Sequence, residues 1–170
     1  MIAVNDAYLL APWADVCYFA DARWWEWHEK RPEFQAFAGQ KVTIENTGCM
    51  VRDAEVFMLH NYGHEGLSDN PNGLSTGSNG GYQAVNIAVL AGAAKILLTG
   101  YDMRFPGGKS HWHSGHQIKV GEDRYAQYAR SYKTMLPQLA ELGCEVVNCT
   151  PGSAITAFRF STLEKELGAA

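Results

Sequence analysis

An α/β fold of Rossmann-like type, a mostly parallel sheet with helices on both faces, is what the order of apolar segments in this chain predicts. Three observations carry it: short apolar runs that end on polar residues, a small-residue helical pattern between two of them, and a long stripe of apolar residues spaced three and four apart before the last run. The length of 170 residues fits one domain over 1–170 with its own core.

Ile2-Ala3-Val4-Asn5 reads as a strand whose polar end is Asn5. Val16 to Ala20 repeats the form and ends at Asp21, and Lys41 to Ile44 and Glu55 to Leu59 are further short β-like runs. They are apolar without strict alternation, as strands covered on both faces are. Between Asn61 and Gly81 the chain is rich in Gly, Asn and Ser with no apolar period, which predicts a mobile loop. Tyr82 to Leu90 then reads as a helix with Ala84, Val85, Ile87 and Ala88 close to a sheet, ended near Gly92. Lys95 to Thr99 is the clearest strand and stops at Gly100-Tyr101-Asp102. Glu122 to Leu142 predicts a long helix that Pro137 kinks or splits, Gly143 closes it, and Glu145 to Asn148 is a last strand.

Composition narrows the function classes. The chain is 46% hydrophobic and 19% charged, as an ordered globular protein is, and its net charge of −4 comes without a basic run. Duplex nucleic acid is therefore not an expected partner. No stretch approaches the ~20 apolar residues that span a bilayer, and no leader pattern opens the chain, so no membrane partner and a cytoplasmic location are expected. Cys17, Cys49, Cys144 and Cys149 form no CxxC pair and read as reduced, mostly buried thiols. Trp24, Trp25 and Trp27 crowd one segment, either a helix packing on the sheet or a contact platform.

In parallel sheets of this type the ligand lies beyond the carboxyl ends of the strands, which here carry Asn5, Asp21, Asp102 and Asn148. Ser75 to Gly81 leads directly into the Tyr82 helix. Asn79, Gly80 and Gly81 there are either a phosphate cradle on a helix N-terminus or a plain capped loop. Asp102 would orient a hydroxyl or a histidine, or close an Asx turn. His111-Trp112-His113-Ser114-Gly115-His116 holds half of the chain's six histidines. One of them, His116 with His113 beside it, would act as acid or base, or His111, His113 and His116 would hold a divalent metal ion, or the segment is a surface loop. Arg104 and Lys109 flank Gly107-Gly108 and are placed to hold a departing phosphate, or are solvated.

The run Asn79 to Ala84, the strand Ile96 to Asp102, the segment His111 to His116 and the stretch Asn148-Cys149-Thr150-Pro151-Gly152-Ser153 together resemble a family of phage and prophage proteins. That family is similar to 6-hydroxymethylpterin diphosphokinase-like domains and more distantly to bacterial sialyltransferases that use CMP-sialic acid. The resemblance implies nucleotide contacts at Asn5, Asp21 and Asn79 to Gly81, a strand-end Asp102, a catalytic base at His116 in the Gly115-His116 pair, and a Pro-x-Ser loop ending at Ser153. It differs in offering Arg104 and Ser110 where the sialyltransferases carry tyrosines. It also implies that the usual first strand–turn–helix unit, with its Gly-x-Gly-Pro-Ser turn, is lacking, the gene start being truncated or the unit lost.

The resulting expectation is a phage-type, transferase-like protein that binds a nucleotide-linked small molecule and transfers a glycosyl or diphosphate group with histidine assistance. The alternatives are a metal-dependent hydrolase-like enzyme on the His-rich loop and a non-catalytic binding or assembly module. An uncovered sheet edge would invite homo-oligomers.

Overall fold

The computed structural model describes residues 1–45, 51, 53–104 and 121–168. The chain divides into two compact units, 1–91 and 92–170.

In the first unit five strands lie in chain order, β1 (Ile2–Val4), β2 (Val16–Phe19), β3 (Gln40–Ile44), β4 (Val56–Gly63) and β5 (Gly73–Ser75). All four pairings are parallel, with Val4 opposite Tyr18, Phe19 opposite Thr43 and Ile44 opposite Leu59. The crossovers carry a 3-10 turn (Asn5–Leu9), α1 (Ala22–His28), α2 (Pro32–Gln35) and, after β5, α3 (Gly80–Leu90). The alternation of β2 divides the core in two. Cys17 and Phe19 pack with Trp24, Trp25 and Phe34 of the first two helices, while Tyr18 packs with Val42, Leu59, Leu74 and Ile87 of α3. Helices therefore cover both faces, the Rossmann-like α/β arrangement expected from the sequence.

Lys41 is turned onto the aromatic face. It is buried, with its ammonium 5.3 Å above the Phe34 ring and 3.3 Å from Glu55 Oε2. Its stem fills apolar space while its head reaches a carboxylate. The tryptophans resolve the same way. Trp24 and Trp25 are core residues of α1, which is the packing-helix alternative.

The expectation fails at the Gly/Asn/Ser-rich stretch 61–81. β4 runs on to Gly63, and β5 lies inside the stretch. The buried side chain of Asn86 on α3 organises it. Its Oδ1 accepts from the N–H groups of Ser68 (2.9 Å) and Ser75 (3.1 Å), and its Nδ2 donates to Ser68 O at 2.9 Å. Tyr82 adds a hydrogen bond from its hydroxyl to Gly66 O at 2.7 Å. Gly77, at φ +49, is needed because the Tyr82 ring lies where a side chain would stand. Backbone that lacks an apolar period is thus ordered by side chains from the helix that follows. β4 also departs from the two-face burial expected of it, since Phe57, Met58 and Tyr62 are exposed.

In the second unit β6 (Lys95–Leu98), β7 (Glu145–Asn148) and β8 (Arg159–Phe160) form a parallel three-stranded sheet. The long helical stretch divides as Pro137 foretold: α4 (Glu122–Ser131), a 3-10 turn (Tyr132–Met135) and α5 (Leu136–Leu142), with Pro137 in the first turn of α5 and Gly143 left-handed at its end. Tyr132, Met135 and Leu139 are its buried stripe. The strand at Glu145 is not the last, because β8 and a short α6 (Leu163–Leu167) follow. A charge network at the amino ends of the strands ties α6 down. Arg159 bonds Glu145 Oε1 at 2.7 Å and Glu166 Oε1 at 2.6 Å, and Lys95 also pairs with Glu166. A two-residue strand and a five-residue helix give too little period to be read from sequence.

Candidate functional site

Each unit presents a carboxyl edge; Asn5, Asp21, Asn79, Gly80 and Gly81 lie in the first unit, and Asp102, Arg104 and Ser153 in the second. In the first unit β1 ends at Val4 and is followed by Asn5, whose φ of 51 is left-handed, a conformation uncommon outside glycine though tolerated by Asn. β2 ends two residues before Asp21, which caps α1 by accepting from Arg23 N–H at 2.9 Å through Oδ1. Asn79 caps α3 in the same manner, accepting from Tyr82 N–H at 3.1 Å. Gly80 and Gly81 then form the first turn of α3, so the helix begins two residues before the predicted Tyr82. A side chain at Gly80 would stand 3.3 Å from Val4 Cγ1, so the helix start abuts the end of β1. The fold thereby sets Gly80 beside Val4, the residue before Asn5. Asp21 stands at the end of the adjacent strand, on a shallow crevice that Phe19, Thr43, Ile44 and Val51 also line. The Thr43 hydroxyl donates to Phe19 O at 2.9 Å, and Asp21 is the charged residue among the described residues that line the crevice.

Beneath this edge lies a polar cluster that no sequence motif announces. Asp6 Oδ1 accepts from Trp24 Nε1 at 2.6 Å and lies 3.4 Å from His28 Nε2. His28 Nδ1 is 2.9 Å from the Tyr8 hydroxyl, and its ring stacks on Trp24 at 4.1 Å. The partners in these contacts are 18 to 22 positions apart, with only the i, i+4 spacing of Trp24 and His28 visible locally.

In the second unit the ends of β6 and β7 are stitched loop to loop. Thr150 Oγ1 accepts from Tyr101 N–H at 3.0 Å, Ser153 Oγ donates to Tyr101 O at 2.5 Å, and Ala154 N–H donates to Asp102 O at 2.8 Å. Asn148 closes the return, accepting from Thr150 N–H at 3.0 Å and donating to Ile155 O at 3.1 Å. The Ser153 hydroxyl also accepts from Ile155 N–H at 3.1 Å, so it shapes its loop. Its neighbours carry the outward groups. Met103 is left-handed at φ 48, and Arg104 is exposed and lies against Gly152, itself at φ +65. Asp102 lies close to Tyr125, whose phenol is raised by burial first, then by Tyr128 and by the Asp102 charge. Asp102, Arg104 and Tyr125 therefore give this edge a carboxylate, a guanidinium and a protonated phenol.

Lys109, His111, His113 and His116 lie outside the described residues. Among the described residues no three His, Cys, Asp or Glu side chains cluster as a metal site, and no helix is long and apolar enough to cross a membrane. Cys17, Cys144 and Cys149 are buried free thiols, and Cys17 is pushed up to about 12, chiefly by burial.

No family model, no curated protein and no solved structure matches the chain. The likeness to phage proteins and sialyltransferases rests on the motifs alone.

Proposed function

We propose that the chain binds a nucleotide- or diphosphate-activated donor and transfers its glycosyl or diphosphate group to an acceptor hydroxyl. The observation that carries this reading is the meeting of the α3 start with the left-handed end of β1. Backbone N–H groups at a helix N-terminus favour an anion, and glycines let a phosphate approach them. The ends of parallel strands are where such ligands bind in α/β sheets. In this reading Asn5, Asp21, Asn79, Gly80 and Gly81 hold the nucleotide and its phosphates. His116 takes the acceptor proton, with Asp102 and His113 orienting it. The acceptor oxygen forms the new bond to the donor carbon or phosphorus as the bond to the leaving phosphate breaks. A leaving phosphate needs a compensating cation, a role that suits the side chains of Arg104 and Lys109.

Calorimetric titration with CMP, UDP, GDP and ATP, with and without Mg²⁺, tests it. At least one nucleotide binds if the reading is right, and Asp21→Asn and Arg104→Ala weaken that binding. Silence from all four ends it. His116→Ala separates the chemistry from the binding: turnover falls at least about a hundredfold while nucleotide affinity stays, the loss expected when a general base is removed.

A further inference from the structure

Asp6 is a carboxylate set into the rim of an aromatic core. Its side chain is 16% exposed, and Tyr8, Trp24, Phe19 and Phe34 form the cluster beside it. A charge in such surroundings is unfavourable unless donors face it. The Trp24 indole N–H faces it at 2.6 Å, and His28 Nε2 lies 3.4 Å away. The proton arrangement follows from the partners. The Tyr8 phenol is pushed up to about 12, chiefly by burial, and so keeps its proton. Its oxygen lies 2.9 Å from His28 Nδ1, and a neutral imidazole that accepts the phenol proton there carries its N–H on Nε2, the nitrogen nearer Asp6. Trp24 stacks on the imidazole at an interplanar angle of 8° and fixes the ring.

The cluster is poorly suited to chemistry of its own. Tyr8 and His28 are 1% and 3% exposed, closed to any substrate, and a phenol with a raised pKa is no nucleophile. Its reach is through the backbone. Asp6 directly follows Asn5, which holds the left-handed φ of 51, and the first turn of α3 packs on Val4 just before it.

We propose that Asp6, Trp24 and His28 are positioning residues that hold Asn5 in its left-handed conformation and so preset the β1 end of the binding edge. The role in ligand binding rests on the nucleotide reading above, whereas the role in shaping the turn does not. Anchoring one side chain through two helix donors removes the alternative backbone arrangements of the turn, which is how preorganisation raises affinity without touching the ligand.

The experiment compares wild type, Trp24→Phe and Asp6→Asn, each with and without Asn5→Gly. Trp24→Phe keeps an aromatic ring but removes the N–H. Asp6→Asn keeps the shape and serves if Trp24→Phe fails to fold. Glycine takes up a left-handed φ unaided. The expected result in the ligand-free protein is that both clamp variants shift the amide NMR signals of Asn5 and Asp6 and lower Tm, and that these effects shrink sharply in the Asn5→Gly background. Affinity for whichever of CMP, UDP, GDP and ATP binds wild type falls about tenfold in the clamp variants, one factor of ten in Kd. In the Asn5→Gly background the clamp variants no longer change it. Equal losses of Tm in both backgrounds, with the Asn5 and Asp6 amides unmoved, overturn the inference and leave only a core defect. Moved amides and background-dependent Tm with no nucleotide bound by wild type uphold the positioning role and reject the nucleotide reading.

Discussion

The carboxyl edges of residues 1–91 and 92–170 both consist of polar residues set after parallel strands, yet they are held in place by different means. In the first, a turn after β1 is anchored through aromatic side chains of α1, and the loop before α3 is held by Asn86 from within that helix. In the second, Asn148, Thr150 and Ser153 bond the backbone of the loops they sit in or face, over one short motif. Side chains from another element make an edge that fails as a whole when one anchor goes. Local stitching spreads the load over several modest bonds. The second edge also carries the charged residues Asp102 and Arg104 next to the stitch, Arg104 exposed.

The sharpest test of this contrast is Asn86→Ala. It leaves the buried Ser75 N–H and the part-buried Ser68 N–H and O without their partner, and at roughly 1 to 3 kcal/mol for a fully buried orphan the loss should reach about 3 kcal/mol. Urea unfolding measures it, and limited proteolysis should cut between 64 and 79. A loss under about 1 kcal/mol would mean that the loop holds itself by other bonds. Gly152→Ala probes the second edge. A left-handed position costs an L-residue roughly 1–2 kcal/mol, and the new methyl would also displace Arg104. The expected outcome is that drop in stability with weakened nucleotide binding, while Arg104→Ala weakens binding with stability unchanged.

A smaller effect separates capping from ligand contact at Asp21. Asp21→Ala should lose about 1 kcal/mol with the α1 cap, whereas Asp21→Asn keeps the cap and loses only the charge. Thermal melts of the two distinguish them. The charge network of Lys95, Glu145, Arg159 and Glu166 predicts an acid response of the second unit. Hydrogen bonds from Arg159 hold the Glu145 and Glu166 carboxyls below their ordinary range. A carboxyl depressed in the folded state contributes stability above the unfolded value near 4.3, and that contribution is lost as pH falls through the folded value. Tm of wild type should therefore fall faster below about pH 4 than that of Glu166→Gln. The exposed setting of Arg159 keeps the difference small. Least of all should change at Cys17, whose buried thiol, pushed up to about 12, should resist alkylation at pH 8 in the native protein and react after denaturation.

What could be read from the sequence follows the same division between local and distant causes. Strands ending on Asn5, before Asp21 and before Gly100 are local apolar runs bounded by polar or small residues, and their boundaries stand within a residue or two. The break at Pro137 and the stop at Gly143 follow from single residues with fixed backbone preferences. That Asn79 to Gly81 leads into a helix was equally legible, because a cap acts within three residues. Nothing local distinguished the strand Gly73–Ser75 from a loop, since Asn86 and the pairing with β4 make it one. Nor did Asp6, Tyr8 and His28 carry a signal. Their meeting depends on α1 returning over the end of β1, and the donors that make a rim carboxylate tolerable exist only once that packing has formed.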